Sequence, residues 1–374
     1  MMSQTARGGQ DKRPSVLVLH DRLEAARQSS EMAADIQGQA LRVLPVALTT
    51  EDAADAGVRG LSARRWDPRV VFKLAALLRK EQASVLHCMP ATEVFGAIAA
   101  KIARTPAVIM EGPLSCQIGW MTRRSLRSAT AVVVRSEQAA RRLIVEGVRS
   151  SRINVIWEAL PDRHVETSLH ERQEVRQRHG VLDESWLIGI QAGGSDDGCF
   201  LQAASIVRAE VPGTKFMMTG LAAMHADLQR RAAVLGLNGS VIFAGAQPNP
   251  AQYAGAMDVA VVAEGASRFA IQAMGLGRPL VALDRGQHAD LFPMGEAGLL
   301  VPPGNPLILA HAILELMRHP EAVERMRRRG REMFVERHSM TRMVSAYREL
   351  YLDLCREQPT SEVVTDAAAD SQTS

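Results

Sequence analysis

Apolar residues in this chain fall into two alternating patterns, short unbroken runs and longer segments where they recur every three or four positions. The first spacing suits buried strands and the second suits helices. "SVLVLH" from Ser15 predicts a strand, "WDPRVVFKLAALLRKEQA" an amphipathic helix begun by an Asp-Pro pair, and "SVLHC" the next strand. "EVFGAIAAKIAR" predicts a helix, "PAVIME" and "ATAVVVRS" strands, "EQAARRLIVEG" a helix and "INVIWEAL" a strand. Strand and helix in strict alternation predict a parallel sheet covered by helices, here a first doubly wound domain ending near Pro161. The next stretch, residues 162–186, is densely charged and reads as a linker. A second alternation follows from "WLIGIQAGG" to "LVALDRG", and its long final helix should break at His319-Pro320 because proline cannot continue a helix interior. In "SMTRMVSAYRELYLDLCRE", Met343, Ala346, Leu350 and Leu354 recur at helical intervals and predict a last helix over 338–356.

Length and composition narrow this picture. A chain of 374 residues exceeds what one core ordinarily organises, in keeping with two domains. With 47% hydrophobic and 23% charged residues it is globular rather than disordered. Residues 1–14 and 357–374 are too polar to fold on their own and are expected to be disordered tails. The formal charge of +3 is small and the arginines are scattered, so nucleic acid is not expected as a partner. "RMRRRGR", Arg325 to Arg331, reads as the solvated face of a helix, with peripheral contact to anionic lipid at the inner membrane face as the alternative. Cys88, Cys116, Cys199 and Cys355 lie far apart without metal-ligand spacing, which suits a reduced, cytoplasmic compartment. Neither a membrane span nor an export signal is expected: no run reaches about 18 uncharged apolar residues, and the first residues lack an apolar core.

Candidate chemistry concentrates at predicted strand ends. Glu264 follows the strand "MDVAVVA" and precedes the helix "RFAIQAMGLG". In open α/β sheets that edge is where ligands bind, and the helix N-terminus offers free amides to an anion. A glutamate there also stabilises the helix by about 0.3–1 kcal/mol, so capping is an equal reading. His87 ends "SVLHC" and Glu111 ends "AVIME". Each is open to a structural role or to a role in a cleft between the two domains, where ligands commonly sit.

From Ser240 to Tyr351 the blocks "VIFAGA", "YAGAMDVAVVAEGA", "QAMGLGRPLVALDRG", "GEAGLLVPPGNP" and "HSMTRMVSAYRELY" resemble, in order and interval, the retaining glycosyltransferases of family 4. "SVLHCMPATEVFGAIAAKIARTPAVIMEG" and "ATAVVVRSEQAARRLIVEGVRSSRINVIWEALP" are similar to that family's first half, so the likeness spans residues 15–355. The resemblance implies the GT-B fold, an α/β architecture of two doubly wound Rossmann-like domains facing each other across a cleft. It implies an acceptor-side domain over 15–161, a nucleotide-sugar-binding domain over 187–337, and a last helix returning to the first domain. The activity implied is transfer of a sugar, with retention, from a nucleotide-sugar donor to a hydroxyl of a glycan, lipid-linked or small-molecule acceptor, in polysaccharide or glycoconjugate biosynthesis. By the same resemblance Glu264 contacts the donor sugar as the catalytic carboxylate, beside the turn Gly265, Ala266, Ser267 and Arg268. Gln272, Gly193, Gly194, Ala246 and Gln247 would complete the donor site, and His87 and Glu111 would face the acceptor.

Two departures stand out. Gln272 occupies the position of the family's ribose-binding glutamate and keeps one acceptor while gaining a donor. The family's arginine and lysine, which neutralise the donor diphosphate, are replaced by Gly193-Gly194-Ser195-Asp196-Asp197-Gly198. Electrostatic help of that kind is worth several kcal/mol at a transition state. Asp196 and Asp197 would repel a diphosphate unless a divalent metal sat between them; no cofactor or metal is otherwise expected. Arg268 and Arg285 are the nearest substitute cations, although a surface ion pair is the readier reading of each. The chain therefore reads as a glycosyltransferase, or as a weakened or inactive paralogue acting as a binding or partner subunit. An epimerase on the same fold would need acid and base groups that the sequence does not display.

Overall fold

The computed structural model describes residues 13–21, 33–36, 40–49, 59–62, 67–112, 118–166, 169–220, 225–263, 266–284, 290–292 and 295–356. Residues 1–133, 143–154 and 344–374 make one compact unit, and 134–142 with 155–343 the other.

Strands β1 (Ser15–His20), β2 (Arg42–Thr49), β3 (Arg59–Ser62), β4 (Ala83–Cys88), β5 (Ala107–Glu111), β6 (Ala131–Val134) and β7 (Ile153–Val155) form one sheet in the order 3-2-1-4-5-6-7. The ladders from β3 to β6 are parallel. β1 is central and wholly buried, as an unbroken apolar run requires in a sheet covered on both faces. Helix Arg69–Lys80 turns Val70, Val71, Leu74, Ala75 and Leu78 inward at helical spacing. The apolar pattern did not predict β2, because Pro45 interrupts it. Pro45 lies one residue before the β2–β3 pairing begins at Val46, where a missing N–H costs least.

The second unit carries β8 (Leu187–Ala192), β9 (Lys215–Gly220), β10 (Val241–Gly245), β11 (Val259–Val262), β12 (Leu280–Leu283) and β13 (Gly298–Val301) in the parallel order 10-9-8-11-12-13. Phe200 and Phe216 meet edge-on within its core, ring centroids 6.2 Å apart. Gly220 closes β9 at φ +116°, and a Cβ there would stand 2.3 Å from the Ala192 carbonyl oxygen. Gly220→Ala is therefore expected to lower stability by about 1–3 kcal/mol, read as the urea midpoint. An unchanged midpoint would contradict it.

The charged stretch 162–186 is more than a tether. It holds helix Leu169–Arg178, whose Arg176 is only 2% exposed and bonds Asp258 at 3.1 Å. Helices Pro306–Arg318 and Pro320–Met333 are separated at His319, where the proline predicts the break. The last helix, Met340–Arg356, belongs to the first unit from Val344 onward. Among the described residues no helix is long and apolar enough to cross a membrane.

Candidate functional site

The carboxyl edge of the second unit's sheet presents the loop between β8 and helix Asp197–Glu210. Gly193 adopts φ +134°, which only glycine holds without strain. Its N–H donates to Asp197 Oδ2 at 3.0 Å, and the Gly194 amide also favours the charged carboxylate. Asp197 is 2% exposed, and its Oδ1 has no hydrogen-bond partner among the described residues. Burial is the main force holding its carboxyl above the usual carboxylate range, against the pull of the two amides. The sequence expectation was that the aspartates would confront a diphosphate. In the structure the Asp197 side chain folds back onto the Gly193 amide of its own loop. Among the described residues no three His, Cys, Asp or Glu side chains are grouped to hold a metal.

Glu264, Gly265 and Arg285 lie outside the described residues. Ala266 and Ser267 open helix Ser267–Gly275 just beyond β11, with no side chain capping its first amides. Arg268 is 61% exposed and 3.8 Å from Glu158, the surface ion pair that was one of its two readings. Gln272 donates from Nε2 to the His164 carbonyl at 3.0 Å, leaving its amide oxygen as the acceptor. Ala246 is exposed beyond β10, and Gln247 turns its Nε2 back to the Ala244 carbonyl.

In the first unit the expected acceptor-side residues have another occupation. His87 is 1% exposed and Glu111 2%. His87 Nδ1 lies 2.7 Å from the Tyr351 hydroxyl, the Tyr347 hydroxyl donates to Glu111 Oε1 at 2.5 Å, and His87 Nε2 is 3.8 Å from that oxygen. This corrects the sequence expectation, since both side chains are shut from solvent and fasten the last helix instead of meeting an acceptor. His20, at the end of β1 and 2% exposed, joins them electrostatically. Burial first, then His87, pushes its imidazole down to about 4.

The profile of the family described as "Glycosyl transferases group 1" matches residues 198–319, the stretch from the Asp197 loop through β13. Alpha-D-kanosaminyltransferase of Streptomyces kanamyceticus is 21% identical over 264 residues, 67% of this chain and 68% of that protein. Among solved structures, HepE of Anabaena in complex with UDP superposes with TM-score 0.75 at 19% identity, covering 91% of this chain and 100% of that one. A glycosyltransferase of Rickettsia africae gives TM-score 0.78 at 13% identity, covering 93% and 100%. The chain has the GT-B fold, and a third of it matches the group 1 glycosyltransferases.

Sequence reasoning missed His20, Tyr347 and Tyr351. The two tyrosines sit four apart on the last helix, a spacing that put them on one face but gave no sign of their partners.

Proposed function

We propose that this transferase moves a sugar from a nucleotide-diphosphate donor to an acceptor hydroxyl with retention at the anomeric carbon. The observation that carries the reading is the group 1 match over residues 198–319 within a GT-B fold. HepE is known bound to UDP and to UDP-glucose, and such a donor suits the carboxyl edge of β8 and β11, the usual ligand edge of a doubly wound sheet. In this reading the acceptor oxygen bonds the anomeric carbon as the bond to the diphosphate breaks, and a phosphate oxygen takes the hydroxyl proton. Glu264 holds the sugar, the amides of Ala266 and Ser267 face the distal phosphate, and the Gln272 oxygen accepts from a ribose hydroxyl.

Negative charge growing on the leaving group must be met by positive charge or aligned dipoles. The described residues offer the two helix N-termini and Arg268, and Asp197 competes with the phosphate for the first of them. Asp197→Ala is therefore expected to tighten UDP binding about tenfold, measured by calorimetry, because it frees the Gly193 amide and removes a buried negative charge. Glu264→Gln should cut transfer about 100-fold while leaving UDP affinity within about threefold. The anomeric configuration of the product, read by NMR, tests retention directly; an inverted product would sink that part of the reading.

The Asp197 carboxylate on the Gly193 amide also favours a second reading, a transferase that has lost turnover and serves as a binding subunit. Turnover by the unmodified chain with any of UDP-, GDP- or ADP-sugars would end it. The converse experiment restores the cations by Gly194→Arg and Gly198→Lys. A Cβ at Gly194 meets nothing within 4 Å, and one at Gly198 meets only the Arg231 Nη1 tip at 3.2 Å, so both side chains have room.

A further inference from the structure

The second unit holds a cavity of about 720 Å³ that the donor site does not use, lined by Arg163, Val165, Leu169, Arg172, Arg278 and Arg331, against two carboxylates, Glu166 and Glu171, the latter accepting from Gln252 Nε2 at 2.8 Å. A neighbouring recess of about 460 Å³ shares Leu169, Arg278 and Arg331 and adds Arg327 and Arg328 with their partners Glu324 and Glu332. Met257 and Arg278 immediately precede β11 and β12, so the cavity opens at the amino edge of the sheet, opposite the edge assigned to the donor.

Arg278 is the unusual member. It is 8% exposed, yet among the described residues its guanidinium bonds only carbonyl oxygens, Leu276 at 3.1 Å from Nε and Met257 at 3.2 Å from Nη1. The nearby carboxylate, Asp258, already has Arg172 at 2.5 Å on one oxygen and Arg176 at 3.1 Å on the other. Burial, then the charges of Arg172 and Arg327, pushes Arg278 down to about 9, the signature of a buried cation short of negative charge.

Arg331 leans over the same cavity from helix Pro320–Met333, with its Nη2 3.5 Å from the Leu276 carbonyl and no carboxylate within ion-pair distance among the described residues. On the same helix Arg329 is paired with Glu296, Glu332 and Glu336, and Arg327 with Glu324. Room for Arg331 is made by Gly277, at φ +63°, where an added Cβ would lie 2.5 Å from Arg331 Nε.

We propose that this cavity is an anion site that takes a phosphate-bearing ligand between Arg278 and Arg331, with Val165 and Leu169 against the ligand's organic part. Guanidinium forks match phosphate oxygens in pairs, and the volume lies in the range of small-molecule pockets. The basic run Arg325 to Arg331 thereby gains a function that a merely solvated helix face lacks. A soluble phosphate ester and the phosphate of a lipid headgroup share the chemistry recognised here. This inference stands independently of the donor-site reading.

The experiment uses the full chain at constant ionic strength and follows its melting temperature against inorganic phosphate, pyrophosphate and chloride. Vesicles of phosphatidylcholine with and without phosphatidic acid form the lipid arm, read by sedimentation. The expected result is a saturable rise of about 3 °C or more with pyrophosphate or phosphate but not chloride. Arg331→Ala, an exposed position, and Gly277→Ala, which displaces Arg331 without removing charge, should each raise the half-saturating concentration at least about tenfold. Asp197→Ala, expected to tighten phosphate binding at the donor edge, should leave it unchanged, which separates this cavity from that edge. Binding only to phosphatidic acid vesicles, lost in Arg331→Ala, also supports the site and identifies its source as lipid. A melting temperature and vesicle binding indifferent to every phosphate probe, or a response that Arg331→Ala does not weaken, would overturn the proposal.

Discussion

Asp258→Ala is expected to destabilise the second unit by about 3–5 kcal/mol, because it strips the carboxylate from two enclosed guanidinium groups at once. Asp258 Oδ1 meets Arg172 at 2.5 Å, while Oδ2 meets Arg176 at 3.1 Å and the Leu187 N–H at 2.8 Å. Arg176 also bonds the Leu182 and Ser185 carbonyls, and Arg172 bonds those of Gly255, Ala256 and Met257. One aspartate thus fastens helix Leu169–Arg178 to the start of β8 and β11. Asp258→Asn keeps the acceptor for Leu187 and should lose less. Asp258→Ala combined with Arg176→Met should recover part of the loss, since it removes one stranded charge along with its partner. Urea denaturation of the four proteins measures all of this. A loss under about 1 kcal/mol for Asp258→Ala would show that carbonyl oxygens alone can hold the two arginines.

Acid should destabilise the protein well above the range in which carboxylates titrate. His20 and His338 are both pushed by burial from 6.5 to about 4. His338 shows why: Nδ1–H donates to the Glu158 carbonyl at 2.7 Å, and Nε2 has no partner among the described residues, so a second proton would be buried unbonded. Unfolded, each imidazole takes a proton near 6.5; folded, each resists until about 4. Between those values the unfolded chain binds more protons, so stability is full above pH 6.5 and falls toward pH 4, by up to about 3 kcal/mol per histidine. Glu93 and Asp197, whose carboxyls burial pushes up, act in the opposite sense because the folded state takes their protons first. The check is the urea midpoint from pH 7 to pH 4.5 for the unmodified chain and for His338→Asn, which keeps a donor for Glu158 and cannot titrate. A shallower slope in the variant is the expected result, and parallel slopes would refute the assignment.

Much of the architecture was legible because hydrophobic periodicity is a local property. "SVLVLH", "AVVV" and "VAVV" can only be buried strands at their length, and Pro320 had to end one helix and begin another. The order of the blocks after Ser240 carried the resemblance to glycosyltransferases, and residues 198–319 match the group 1 model. β2 escaped because a proline inside a strand is tolerated only where pairing is incomplete, and that depends on where β3 begins.

The sequence determined where most strands and helices lie and that both sheets are parallel. Tertiary structure alone decided what the polar side chains do. His87 and Glu111 met tyrosines 264 and 236 residues away, Asp258 drew two arginines from a stretch that reads as a tether, and Asp197 turned onto its own loop's amides. The physical reason is that an apolar residue needs only a face to be buried on, which its own periodicity reveals. A buried polar group needs a particular partner at hydrogen-bond distance, and strand order and the returning helix choose that partner.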